Sequence, residues 1–251
     1  MRWDDASSTY PKRGLCGQVA HELGQRIVSG DFEAGGVLPT ESELSLQFNV
    51  SRTALREAVK VLSAKGLTES RPRTGTRVRP RSDWHLVDPD VIAWHCAATP
   101  SADFLCDLFE IRLIVEPNAA ALAAERRTDD DIRDIRQRLA EMGRAIETGA
   151  DMVGPNVRFH TAILEAAANP FLGTLAALMT PAFSHMVRIV WQSDPAAFSM
   201  ADHHLVMDAL ATGRGGMARR AMQSLLWVTR EGLLKALSRK STKQRLPAET
   251  R

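Results

Sequence analysis

The tightest constraint on this chain is the stretch at residues 38–80, LPTESELSLQFNVSRTALREAVKVLSAKGLTESRPRTGTRVRP. Thr40, followed three residues later by Glu43, forms a capping box, in which each side chain satisfies a backbone amide of the other at a helix start. Leu44 and Phe48 supply the buried face of that helix. Asn49-Val50 makes a turn, and Ser51 caps a second helix. On this second helix Leu55, Val59 and Leu62 recur at helical spacing and face inward. Arg52, Thr53, Arg56 and Lys60 then point to solvent, and Gly66 stops the helix. Residues 67–70 and 76–79 read as short strands, with Pro72-Arg73-Thr74-Gly75 as the tip between them. Two helices joined by a tight turn and followed by a hairpin make a winged helix-turn-helix. Its second helix offers its N-terminal residues to a major groove.

Charge points the same way. Residues 50–81 carry nine Arg or Lys against two Glu, whereas the whole chain is only +2. A basic patch on a mildly charged chain is the footprint of phosphate binding. The expected DNA contacts are Ser51, Arg52, Thr53, Arg56, Arg73, Thr74 and Gly75. The partner is double-stranded DNA with a palindromic site read by a homodimer, because one short helix covers too few bases alone.

This stretch resembles the GntR family of bacterial transcription regulators. LPTESEL is similar to the family's helix start, VSRTALREAVKVLSAKGL to its recognition helix, and GTRV to the closing strand of its wing. Ser42 departs from the pattern, since many members carry a phosphate-touching Arg there.

The 251 residues suit two domains, and 44% hydrophobic content is enough for real cores. No apolar run reaches membrane-span length and no signal peptide opens the sequence. Cys16, Cys96 and Cys106 have neither metal nor redox spacing, which suggests reduced thiols and a cytoplasmic location. The expected division is a DNA-binding domain at 12–80, a linker at 81–89 and an all-helical effector-binding and dimerisation domain at 90–240. Leu15, Val19, Leu23 and Ile27 place a first helix at about 14–29. The polar, proline-containing run around RPRSDWHLVDPD breaks periodicity and supplies the linker, with Trp84 packed against one domain.

Beyond the linker the grammar is entirely helical. Expected helices lie at 88–96, 102–126, 129–148, 155–168, 171–191, 196–212 and 217–237, with a frayed tail after that. Phe104, Leu108, Ile111, Val115 and Ala119 form the stripe of the second of these, and Pro117 and Pro181 are kink candidates. The fold class is therefore mostly α: a winged helix-turn-helix followed by a helical bundle. The part after Ser82 carries nineteen basic and twenty-one acidic residues, so it has no evident reason to touch DNA.

This half is similar to the FCD effector domain of the FadR subfamily. The resemblance rests on EIRLIVEPNAAALAAERRT, NVRFHTAILEAAANPFL and DHHLVMDALATGRGGMARRAMQ. It implies a divalent metal such as zinc, held by an Asp, a His four residues later and two further His. Here those positions are Asn156, His160, His203 and Leu225, so an amide replaces the carboxylate and one imidazole is absent. His160 and His203 are the metal candidates in an incomplete set. Positions i and i+4 share a helix face, and register turns His204 away. The same residues suit a polar ligand pocket of Arg112, Asn156, His160 and His203, with Trp191 and Arg188 as one wall. Arg112 can pair with Glu116 or fork onto a carboxylate ligand. RSDWHLVDPDVIAW and the reduced histidine set are similar to the repressors of D-galactonate catabolism, which implies a sugar acid effector. The function expected is a ligand-responsive repressor, not an enzyme. The alternatives are a constitutive DNA binder, or an enzyme using His160 and His203. No nucleophile motif or phosphate loop supports the latter.

Overall fold

The computed structural model describes residues 14–71, 73–98, 100–195 and 198–245, with side chains to 239. Residues 1–13 and the last residues of the expected tail lie outside them. The chain divides into two units, at Ser101 and Ala102.

The first unit begins with α1 (Leu15–Ser29), which ends at Gly30 in the left-handed region. α2 (Glu41–Phe48) starts at the expected capping box: the Thr40 amide donates to Glu43 at 2.7 Å, and the Glu43 amide donates to Thr40 Oγ1 at 3.3 Å. Asn49 turns the chain with φ 51, and Ser51 caps α3 (Arg52–Ala64) by accepting from the Ala54 amide. β1 (Thr68–Arg71) and β2 (Gly75–Val78) pair antiparallel from Thr68↔Val78 to Arg71↔Gly75. Leu23, Ile27, Leu44, Leu55, Leu62, Leu67 and Val78 form a common core. Mostly-α architecture with an N-terminal winged helix-turn-helix is the fold expected from sequence.

The expected linker and the helix after it belong to this first unit, which differs from the division expected. A 3-10 turn (Arg81–Asp83) leads into α4 (Pro89–Ala97). Trp84 and Trp94 are 5% and 1% exposed, and both join the core that contains Leu23 and Leu62. Gly24 permits this, because a Cβ there would lie 2.6 Å from the Trp94 ring. Trp94 Nε1 donates to His21 Nδ1 at 2.6 Å. Lys65, at the end of α3, meets Asp88 at 2.9 Å and Asp90 at 2.6 Å. Two indoles and an ion cluster thus hold a segment whose prolines and polarity read as a linker, and Trp84 packs against one domain as expected.

The second unit is a bundle of α5 (Ala102–Arg126), α6 (Asp129–Thr148), α7 (Val153–Ala166), α8 (Pro170–Ser193), α9 (Met200–Ala211) and α10 (Gly215–Arg245). Thr128 opens α6 with a second capping box, Asn169 caps α8 and Ser199 caps α9. α10 runs on to Arg245, through the start of the expected tail. α9 starts at Met200, later than expected; Ala196 is outside the described residues. Small residues Ala119, Ala120, Ala123 and Ala124 let α5 sit centrally, packed against α7, α8, α9 and α10. Its buried face differs from the expected stripe. Ile111 is 42% exposed, while Leu105, Leu108, Phe109, Arg112 and Glu116 face inward. The face is rotated because an ion pair, Arg112–Glu116, occupies positions that an apolar count passes over.

Candidate nucleic-acid interface and a buried polar cluster

The first turn of α3 and the hairpin tip hold the expected DNA contacts. Ser51, Arg52, Thr53 and Arg56 are exposed, as are Arg73, Thr74 and Gly75. Arg73 sits at φ 65 and Gly75 at φ 82, so the tip is a turn built from left-handed residues. Arg56 is not loose: its Nε donates to Glu41 Oε2 at 2.8 Å. Lys60 pairs with Glu57 at 2.7 Å, Arg71 with Glu69 at 2.7 Å and Arg79 with Asp83 at 2.9 Å. Among the described residues Arg52 and Arg73 have no carboxylate within ion-pair distance. The partner of Arg56 was not legible in the sequence, because Glu41 lies fifteen positions earlier and on another helix.

In the second unit the expected pocket residues converge. Arg112 on α5 is 2% exposed and donates from Nε to Glu116 Oε1 at 2.6 Å. The other oxygen of Glu116 lies 2.6 Å from His160 Nδ1 on α7. His160 and His203 stand edge to face with centroids 5.7 Å apart, and Phe159 packs against both. His203 Nδ1 is 2.7 Å from the Ser199 carbonyl, and its Nε2 is 3.1 Å from Asn156 Nδ2. The carbonyl can only accept, so Nδ1 carries the proton and Nε2 accepts from the amide. The remaining contact of that amide is the Met142 sulfur at 3.5 Å.

One atom of this cluster is left over. Arg112 Nη1 is buried and has no hydrogen-bond partner. Its guanidinium lies over Phe109 and Phe183, 5.4 and 5.0 Å from the ring centroids. Trp191 packs edge-on to Phe198, and Arg188 is an exposed residue near Asp151, while the rings over the guanidinium are Phe109 and Phe183.

Burial pushes the Glu116 carboxyl up, but Arg112 and His160 outweigh it and hold it at about 2. Burial pushes His203 down to about 3, helped by the charge of His160, so it is neutral at ordinary pH. Glu116 is the hub that the residue count underrated: its spacing of four from Arg112 was visible, but its reach to His160 was not.

The metal set implied by resemblance does not assemble. Among the described residues no group of three or more His, Cys, Asp and Glu is placed to hold an ion. Asn156 and His203 are hydrogen-bonded to each other, and the remaining position is the buried, apolar Leu225. These residues do not fit a metal.

Comparison with known proteins places both halves. The family model described as "Bacterial regulatory proteins, gntR family" matches residues 15–78, and that described as "FCD domain" matches 107–226. The uncharacterized HTH-type transcriptional regulator YieP of Escherichia coli (strain K12) is 35% identical over 223 residues, 88% of this chain and 96% of that protein. The galactonate operon transcriptional repressor of the same strain is 31% identical over 211 residues, 83% and 92% respectively. The structure of Lar, which controls expression of the Listeria monocytogenes agr system, shares the fold at TM-score 0.62 and 21% identity, covering 90% of this chain and 98% of that one. The chain belongs to the GntR family of bacterial transcription regulators, with an FCD domain as its second unit.

Proposed function

We propose that the chain is a cytoplasmic, homodimeric repressor that reads a palindromic operator and is released by a small carboxylate, with a sugar acid as the class. Membership of the family makes it a transcription regulator and not an enzyme. The observation that carries the effector reading is Arg112 Nη1, a buried charged donor without a partner. Such a donor is costly when left unmade and strong when it meets a carboxylate. A constitutive DNA binder has no use for it, since an apolar core of that volume would serve as well. On the DNA side, α3 presents Arg52, Thr53 and Arg56, and the hairpin presents Arg73, Thr74 and Gly75. Support for the effector class comes from a relative that is named a galactonate operon repressor.

The effector must bind the arrangement that does not grip DNA better than the one that does, or it shifts nothing. The test is fluorescence anisotropy with DNA from upstream of the protein's own gene, titrated with D-galactonate and other aldonates. Nanomolar-range binding lost on addition of one aldonate is the expected result. Operator binding unaffected by every acid in the panel would remove the effector reading.

A further inference from the structure

We infer that the FCD domain of this chain holds its carboxylate without a metal, with Arg112 Nη1 as the anchoring charge. The inference rests on the second unit being the effector domain, as proposed above.

Of the two imidazoles, only His203 has both ring nitrogens accounted for by protein. His203 donates from Nδ1 to the Ser199 carbonyl, and the lone pair of its Nε2 accepts from Asn156 at 3.1 Å. A metal at Nε2 would have to displace that amide. Asn156 could then offer only a neutral oxygen in place of the carboxylate a divalent ion favours. His160 holds Nδ1 against Glu116, whose two oxygens are already divided between His160 and Arg112, so Nε2 of His160 is the single ring nitrogen the pair could offer, short of the three or four protein ligands such an ion takes. Leu225, 1% exposed, brings no ligand at all. What coordination loses, Arg112 restores. Its Nε is satisfied by Glu116, while Nη1 is buried and unpartnered between Phe109 and Phe183. A guanidinium with one edge fixed and another donor free suits a single carboxylate oxygen. The nearby imidazoles and amide add hydrogen bonds for hydroxyls. The ligand class is therefore a small hydroxy-carboxylate bound directly by protein.

The experiment uses the full chain, stripped with EDTA, in calorimetry against zinc alone and in thermal-shift titration with glycolate and D-galactonate. Expected is no saturable one-to-one zinc binding by the unaltered protein, and stabilisation by at least one of the two acids, with or without EDTA. The double variant Asn156→Asp, Leu225→His restores the missing ligands and should gain one equivalent of zinc. Arg112→Lys keeps a cation opposite Glu116, which guards against misfolding, but loses the fork. It should weaken the stabilising acid by at least about tenfold, the scale of one charge-assisted hydrogen bond. One-to-one zinc binding by the unaltered protein, removed by His203→Ala, overturns the inference. So does acid binding that disappears with EDTA and returns with zinc. Absence of stabilisation by either acid, or unchanged acid binding in Arg112→Lys, overturns the role of Arg112. If zinc proves necessary for operator release, the repressor reading survives and this one falls. If glycolate binds without metal but no acid releases DNA, the reverse holds.

Discussion

At the scale of residues, the chain places charge where it is hard to keep. Arg56 points to solvent from α3, yet Glu41 holds its Nε. That leaves the Nη atoms as the free end and limits the rotamers the side chain samples, so less entropy is lost on docking. Arg56→Ala should cost about 1–3 kcal/mol of operator affinity, measured by anisotropy at fixed salt. Glu41→Gln separates anchoring from repulsion: a carboxylate near DNA opposes phosphate, so its loss should raise nonspecific affinity while the ratio of operator to random DNA falls. An unchanged ratio would show that Glu41 does not orient the arginine. In the second unit the buried His203 and Glu116 both favour the folded state at neutral pH. His203 stays neutral when folded, at about 3 against an ordinary 6.5, so the unfolded chain takes up its proton first. Stability from this group is complete above 6.5 and declines as pH falls towards 3. Glu116, held at about 2 against 4.5, adds a further decline between those values. Each unit of such a gap is worth about 1.4 kcal/mol at 25 °C. Urea denaturation from pH 7 to 4 should show falling stability that flattens in part with His203→Gln. A flat profile would contradict a buried neutral imidazole.

At the scale of elements, local rules carried far and then stopped at one boundary. The Thr40 and Ser51 caps, the Asn49 turn, the hairpin and most helix limits were readable because each is decided by residues within a few positions of one another. Asn156 and His160 share a face of α7 by their spacing, but the approach of His203 to them was readable only through family resemblance, since it comes from another helix whose packing no local pattern specifies. α4 groups with the first unit, where the polar sequence before it suggests a boundary, for a physical reason. The segment DWHLVDPD is polar, and what fixes it are partners far away: the core around Trp84 and Trp94, and Lys65. The cluster tests this directly. Burial opposes the charge on Lys65, but Asp90 and Asp88 outweigh it and raise its pKa above the ordinary value. Asp90 is fully buried, so Lys65→Met removes the cation that pairs with its carboxylate and should destabilise the first unit by about 3–5 kcal/mol. The triple change Lys65→Met, Asp88→Asn, Asp90→Asn should recover part of that loss in thermal denaturation. A Lys65→Met protein as stable as the parent would show that the ion cluster does not fasten α4.

At the scale of the whole molecule, reading two half-sites needs two copies. The full chain should sediment as a dimer, with and without DNA, and protect a site whose halves repeat at helical spacing. A monomer bound to operator would contradict that. The consequence of the Lys65 cluster reaches further, into how such regulators can be recombined. The residue that caps the end of the recognition helix and the first turn of α4 share one set of carboxylates, because Asp88 both caps α4 and accepts from Lys65. A chimera that joins this DNA-reading head to a foreign sensor at the wing, near Val78, would leave an ammonium group facing a core from which its acids and both indoles have gone. A chimera joined after Ala98 carries the whole assembly with it. The graftable head of this regulator is therefore one helix longer than the motif that names it, and its natural splice point lies between α4 and α5.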